Sequence, residues 1–173
     1  MVASLSQSIV QRLLHKLAFI VPGGSSIRPW LHQLRGVKMG KRVWISQYVY
    51  LDELHPEAIS IGDNTSLGLR TSVVTHFYWG PKRSSSAAQA VKIGANVFIG
   101  PHCVLLPGVT IGDGAVVQAG SVVTREVPPR AFWGPTPSGL LGQASVPLTH
   151  EYDYDQFLRG LRPPKSIRTT KGS

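Results

Sequence analysis

His76 closes the run Val73-Val74-Thr75-His76 and is followed at once by Phe77-Tyr78-Trp79 and, shortly after, by Lys82 and Arg83. An imidazole that titrates near neutrality can take a proton from a hydroxyl while that oxygen attacks a carbonyl carbon. Three adjacent rings offer flat surfaces for a sugar, and the two cations suit an acidic group on the same ligand. Taken alone, the same residues fit an exposed corner histidine beside rings that anchor a loop. Asp52 and Glu53 are carboxylates that could orient the imidazole across a subunit interface.

The elements that must hold these groups follow from a period of six. Val43, Val49, His55, Ile61, Leu67 and Val73, then after one interruption Ile93, Ile99, Leu105, Ile111, Val117 and Val123, lie six residues apart, and only His55 breaks the aliphatic pattern. Val, Ile and Leu make up roughly a quarter of the chain, so chance would fill about three of these slots and the period is real. Six matches neither the repeat of a helix nor a ladder of hairpins. It describes one short strand and one corner per repeat. Three repeats, about 18 residues, close a triangular coil, and roughly four to five coils stack into a parallel β-helix. Gly62-Asp63-Asn64, Gly94-Ala95-Asn96 and Gly112-Asp113-Gly114 are corners whose residue types reach left-handed backbone cheaply. A second inward column, four residues after the first, holds Thr65, Thr71, Val97, Cys103, Val109, Ala115, Ser121 and Val127. Cys103 and Ser121 are therefore expected in the core and not as nucleophiles.

The register is lost from Phe77 to Ala90, where a loop is expected to leave the prism, and loops on solenoids commonly build binding surfaces. The chain thus divides into an N-terminal helical segment (1–36), a β-helix (37–129) with a protruding loop (77–90), and an irregular C-terminal extension (130–173) with a helical turn near Tyr154 to Leu161. In the first segment Leu5, Ile9, Leu13, Leu17 and Ile20 share one helical face before Pro22-Gly23-Gly24, and a second short helix spans Ser26 to Gln33. That face is expected to pack on the domain or on a sister subunit, with weak membrane-surface association as the alternative. The 173 residues, 42% hydrophobic, suit one globular unit with a respectable core. A net charge of +9 favours an anionic partner, but the cations are scattered and no nucleic-acid signature accompanies them, so nucleic acid is not expected. A single cysteine excludes an internal disulfide, and no stretch approaches the ~20 apolar residues of a spanning helix, so the expected location is the cytoplasm.

The segments IGDNTSLGLRTSVVTH and VKIGANVFIGPHCVLLPGVTIGDGAVVQAGSVVTREVPP, with GVKMGKRVWIS before them, resemble the hexapeptide-repeat acyltransferases, in particular the branch of galactoside, maltose and capsule or O-antigen O-acetyltransferases. The likeness runs from about residue 28 to about residue 134. It implies an all-β, left-handed parallel β-helix that assembles as a homotrimer and uses acetyl-CoA as acyl donor, without a metal. The left hand is implied by the resemblance only, because the usual rule for parallel crossovers points the other way.

The resemblance further implies an O-acetyltransferase acting on a sugar hydroxyl of a saccharide, nucleotide sugar or polysaccharide precursor, by direct transfer with His76 as general base. Ala119, Gly120, Thr124 and Arg125 match the family's cofactor positions in the groove between neighbouring prisms, with Lys92 and Arg130 as further phosphate candidates. Arg70 replaces an Asn common near the acceptor in relatives, which points to a negatively charged or otherwise different acceptor, held also by Phe77, Tyr78 and Trp79. Two departures stand out. Pro101 occupies the place where the family pattern supplies an N–H to the oxyanion, so either the His102 amide serves or that part of the pattern fails. After Pro129 the chain reads FWGPTPSGLLG, with an extra residue and no Lys or Arg. The alternatives are a non-catalytic β-helix scaffold and a γ-type carbonic anhydrase, which needs three converging histidines where His76 and His102 are two and His55 falls on an inward slot.

Overall fold

The computed structural model describes residues 5–76, 89–135, 138–147 and 154–163. Helices α1 (Leu5–Ile20) and α2 (Ile27–Leu34) come first, with the break at Pro22-Gly23-Gly24. Four coils of three strands follow: β1 (Lys38–Met39), β2 (Trp44–Ile45) and β3 (Tyr50–Leu51), then β4 (Ile59–Ile61), β5 (Ser66–Leu67) and β6 (Ser72–Val73). The third coil holds β7 (Val91–Ile93), β8 (Phe98–Ile99) and β9 (Val104–Leu105), and the fourth β10 (Thr110–Ile111), β11 (Val116–Val117) and β12 (Val122–Val123). Strands of equal place stack in parallel, giving three faces: β1-β4-β7-β10, β2-β5-β8-β11 and β3-β6-β9-β12. The result is a left-handed parallel β-helix.

Inside the prism Leu67, Val73, Ile99, Leu105, Val117 and Val123 are fully buried, and each stacks on a register partner in a neighbouring coil. The polar inward slots are satisfied by main chain. Thr65 Oγ1 donates to the Gly94 carbonyl at 2.8 Å and Thr71 Oγ1 to that of Gly100 at 3.1 Å.

The first coil corrects the expected frame. Met39 pairs with Ile61, Ile45 with Leu67 and Leu51 with Val73, so these residues, and not Val43, Val49 and His55, continue the column. Val43 and Val49 are buried in the second inward column, while His55 lies outside the prism, half-buried. The first coil runs 22 residues from Met39 to Ile61 where the third runs 18 from Ile93 to Ile111, and the surplus is absorbed between Asp52 and the 3-10 turn Pro56–Ala58.

At the corners, two properties expected of the same Gly-rich triplets belong to different residues. Positive φ falls on Asn64, Asn96 and Gly114, and also on Arg42, Tyr48, Arg70, His102 and Arg130. Each such amide from Asn64 onward donates to a carbonyl of the preceding coil, as His102 does to Leu69 at 2.8 Å. The glycine after the aliphatic residue answers to close approach instead. A Cβ on Gly100 would stand 2.5 Å from the Ala119 nitrogen.

The C-terminal extension is more regular than expected. Val127 bridges to Ile111, and β13 (Ala131–Pro135) pairs parallel with β11, placing the buried Trp133 over Val117 as a partial fifth rung. β13 then pairs antiparallel with β14 (Ser138–Ala144), which β15 (Leu161–Arg162) joins after α3 (Tyr154–Gly160).

At the other end, the helices cover the exposed edge of the first coil. The Arg28 guanidinium donates to the Val21 and Ile45 carbonyls, the Ile45 amide donates to Gly24, and the Tyr48 amide donates to Phe19. Buried Arg35 donates from Nη2 to the carbonyls of Leu51 (3.1 Å) and Asp52 (2.7 Å) and from Nη1 to His32 Nδ1 (2.9 Å), which places the His32 proton on Nε2. The buried His15 ring stands edge-on to Tyr50 at 5.1 Å and to Phe19 at 4.6 Å. Because this end presents carbonyls and cations, the helix face that packs is the His15 and Ala18 face. The expected packing of the apolar stripe on the domain is not what forms: Ile9, Leu13, Leu17 and Ile20 are each more than half exposed.

Two outcomes follow from this packing. Ile99→Ala removes a side chain from the middle of a closed prism and is expected to cost about 2–5 kcal/mol of stability, read from denaturant midpoints. Burial first, and the Arg35 charge second, push the His15 pKa down to about 4, and burial, Arg35 and His15 push that of His32 to about 3, against 6.5 when unfolded. Below 6.5 the unfolded chain therefore binds more protons, and stability present above that pH is lost as pH falls toward 4. The urea midpoint is expected to drop between about pH 7.5 and about pH 5, and His15→Leu to flatten that slope.

Candidate active site

The prism has three edges, and among the described residues chain is inserted at only one of them. The edge holding Arg42, Asn64, Asn96, Gly114 and Arg130, and the edge holding Tyr48, Arg70, His102 and Gly120, turn in the same way in every coil. The third edge, at the exits of β3, β6, β9 and β12, takes the extra residues of the first coil after Asp52 and the break of the second coil after His76. His76 and Asp52 come together there.

The Asp52 carboxylate is buried and gathers donors from two separate turns. Oδ2 accepts from the Thr75 amide (2.8 Å), the Thr75 hydroxyl (2.7 Å) and His76 Nδ1 (2.7 Å), while Oδ1 accepts from the amides of Leu54 (2.9 Å) and His55 (3.3 Å). Burial alone would raise its pKa, but the Thr75, Leu54 and His76 hydrogen bonds outweigh burial and hold the carboxyl below the usual range. An ionised carboxylate can only accept, so it fixes the His76 proton on Nδ1 and leaves the basic lone pair on Nε2. The pair lies within one chain, which corrects the expectation of an orienting carboxylate across a subunit interface. The His55 ring stands edge-on to His76 at 5.7 Å and its Nδ1 lies 3.3 Å from Glu57 Oε1.

The remaining candidates divide between two edges of the β3-β6-β9-β12 face. The ladder continues past the strands through Asp52, Val74 and Leu106, whose amides donate to Val73, Leu105 and Val123. Thr124 ends that row, two strands from Val74, or about 10 Å. Thr124 and Arg125 therefore share the edge with His76, and the Arg125 guanidinium sits 5.5 Å from the Trp133 ring centre. Lys92, exposed on β7, lies on the neighbouring face, which leads away from the same edge. Ala119, Gly120 and Arg70 are on the opposite edge, where the Arg70 guanidinium lies 5.6 Å from the Tyr48 ring centre. Arg70 and His76 stand at the two ends of β6, six residues apart, about 20 Å along an extended strand. One chain does not bring them together. Phe77, Tyr78 and Trp79 lie outside the described residues.

Gly120 differs from its column. Tyr48, Arg70 and His102 adopt the same left-handed backbone without being glycine, so conformation does not require glycine there. A Cβ on Gly120 would meet nothing within 4 Å, and with the neighbouring Ala119 it leaves an open shelf on the surface. The His102 amide, by contrast, is engaged by the Leu69 carbonyl and cannot replace the donor that Pro101 lacks.

Cys103 and Ser121 are buried in the second inward column, as expected. Burial raises the Cys103 thiol above its ordinary pKa, and Ser121 Oγ donates to Gln118 at 2.6 Å, so neither is placed as a nucleophile. Sequence reasoning missed Thr75 and Arg35. Thr75 carried a signal, since a hydroxyl next to the candidate base and two residues after the inward Val73 is well placed to bind a buried carboxylate. Arg35 carried none.

The repeat is matched by the family model for the bacterial transferase hexapeptide (six repeats) over residues 90–125. YvoF of Bacillus subtilis, itself named an acetyltransferase only provisionally, is 39% identical over 117 residues, 66% of this chain and 66% of its own length. The galactoside O-acetyltransferase of Escherichia coli is 35% identical over 101 residues, 56% of this chain and 50% of that protein. The chain thus spans between half and about two thirds of these curated relatives. A hexapeptide-repeat acetyltransferase of Vibrio cholerae, solved with acetyl coenzyme A, shares the fold with a TM-score of 0.65 at 24% identity, covering 82% of this chain and 90% of that one. With its repeat, its aligned relatives and its prism all in agreement, the chain belongs to the hexapeptide-repeat acyltransferase family.

Proposed function

We propose that this protein is an acetyl-CoA-dependent O-acetyltransferase acting on a sugar hydroxyl, working in the cytoplasm as a homotrimer in the assembly of a saccharide or polysaccharide. The observation that carries the reading is the 2.7 Å hydrogen bond from His76 Nδ1 to a buried, fully engaged Asp52. A structural corner histidine has no need of a carboxylate fixed by four other donors. A general base does, because the fixed tautomer keeps the basic lone pair on Nε2 and the carboxylate stabilises the imidazolium that forms during transfer.

When bound, acetyl-CoA supplies the acetyl thioester. His76 Nε2 takes the proton of the acceptor hydroxyl as its oxygen bonds to the thioester carbonyl carbon; the C–S bond then breaks and the imidazolium returns the proton to the departing thiolate. Atoms and charge balance with no covalent enzyme intermediate, in keeping with a buried Cys103 and Ser121. Thr124, Arg125 and Lys92 are the residues we assign to the cofactor beside His76, and Ala119 and Gly120 form the open shelf against which a pantetheine arm can lie. A small acceptor cannot reach both Arg70 and His76 in one chain, so the trimer, in which a neighbour's edge completes the groove, is part of the proposal. Arg70, with Phe77, Tyr78 and Trp79, is assigned to an acceptor that carries negative charge. The galactoside O-acetyltransferase of Escherichia coli supports a sugar as the acceptor class.

The test is CoA release measured against a panel of sugars, nucleotide sugars and oligosaccharides. His76→Ala is expected to keep the fold and the affinity for acetyl-CoA and to lose transfer, and full turnover in this variant would remove the assigned base. Asp52→Asn is expected to lower kcat by about 10²–10⁴-fold with little change in KM. Gly120→Asn, which tolerates the left-handed backbone, is expected to raise the KM for acetyl-CoA by about tenfold at unchanged kcat, because its side chain occupies the shelf.

A further inference from the structure

The outer face of the N-terminal helices is apolar and exposed, in a stretch of sequence that holds no acid before Asp52. On α1, Ile9, Val10, Leu13, Leu17 and Ile20 are 51–61% exposed, and on α2 the same holds for Trp30 (55%) and Leu34 (53%), with Ile27 at 41%. At 100° per residue the five α1 positions fall within an arc of about 100°, opposite the buried His15, and Arg12 and Lys16 run along one border of that arc. Scattered apolar surface residues need no explanation; a continuous helical stripe does. Its charge setting narrows the occupant. Residues 1–51 contain seven Lys and Arg and no Asp or Glu; Arg28 and Arg35 are buried against the prism, and the five exposed cations are Arg12, Lys16, Lys38, Lys41 and Arg42.

We infer that this face docks on an anionic membrane surface, with the apolar stripe of α1 sunk to the headgroup boundary and Arg12 and Lys16 at the level of lipid phosphates. A second copy of the chain meeting this face with its own would set Arg12 and Lys16 against the same two cations, with the neighbouring Glu53 already paired with Arg12. Among the described residues no helix is long and apolar enough to cross a membrane, so the contact is peripheral. Arg12 Nε lies 3.5 Å from Glu53 Oε1, next to Asp52, so a docked helix brings the Asp52–His76 pair close to the bilayer surface.

The test is co-sedimentation of the full chain with phosphatidylcholine vesicles and with vesicles that also contain phosphatidylglycerol. Binding is expected to the anionic vesicles, weaker on phosphatidylcholine alone and weaker in high salt. The double substitution Leu13→Asp with Leu17→Asp, at exposed positions, is expected to keep the circular dichroism and molar mass of the native protein and to lower the partition by at least about tenfold. Vesicle binding needs no turnover, so this result stands apart from the transfer activity proposed above. No sedimentation with either vesicle, or undiminished binding by the double variant, overturns the inference. So does a double variant that falls apart into smaller species while the native protein ignores vesicles, since the face would then be a contact between copies.

Discussion

A parallel ladder that closes on itself every three strands fixes the length of each coil. Main chain must stack on main chain at about 4.8 Å, and the amide and carbonyl of every rung residue look for the rung above or below. Surplus residues can leave only at a corner, and only where the ladder on both sides is undisturbed. In this protein both surpluses leave at one edge, after Leu51 and after Val73. That choice creates the site. Asp52 sits on the rung of Val74 at the first departure, and Thr75-His76 follow Val74 directly at the second, so stacking and one further turn bring the imidazole to the carboxylate.

The electrostatics of this edge continue inward to the helices. Asp52 offers its side chain to Thr75 and His76, and its main-chain carbonyl to Arg35. Arg35 is buried, its pKa brought down to about 10 chiefly by burial, with Glu53, Tyr50 and Asp52 acting against that shift. It stays charged at neutral pH, and its charge helps keep His32 and His15 neutral. The carboxylate that aims the candidate base is therefore part of the same buried polar cluster that seats α1 and α2, and positions in the helices bear on the site without touching it.

The period of six was legible because an inward slot tolerates little besides aliphatic or small side chains, and the break at Phe77 was legible because no such residues recur there. The frame of the first coil was not. Val43 and Val49 suit either inward column, and His55 was the one sign that the count had slipped. His76 could be named from its place beside the break, and Asp52 only as one of two adjacent carboxylates, since its reach depends on the turn that follows it. Arg35 was invisible because a buried, carbonyl-bound guanidinium follows no spacing rule and reads as a solvated helix residue. The face of α1 that meets the prism was not legible for a related reason. Apolar periodicity says which side of a helix avoids water, but the end of the prism is lined by carbonyls, and His15 and Ala18 meet it better than leucines do.

Arg28 and Arg35 acquire a second meaning at that end. A solenoid has two open edges, each a row of unpaired donors and acceptors on which another molecule's strand could be added. Here the arginines take up the carbonyls of Ile45, Leu51 and Asp52, Gly24 and Phe19 take up amides, and at the far end the β13–β14 hairpin covers the last full coil. The helices are thus a stopper against end-to-end polymerisation, and the number of coils is closed at both ends by side chains and turns that belong to no repeat.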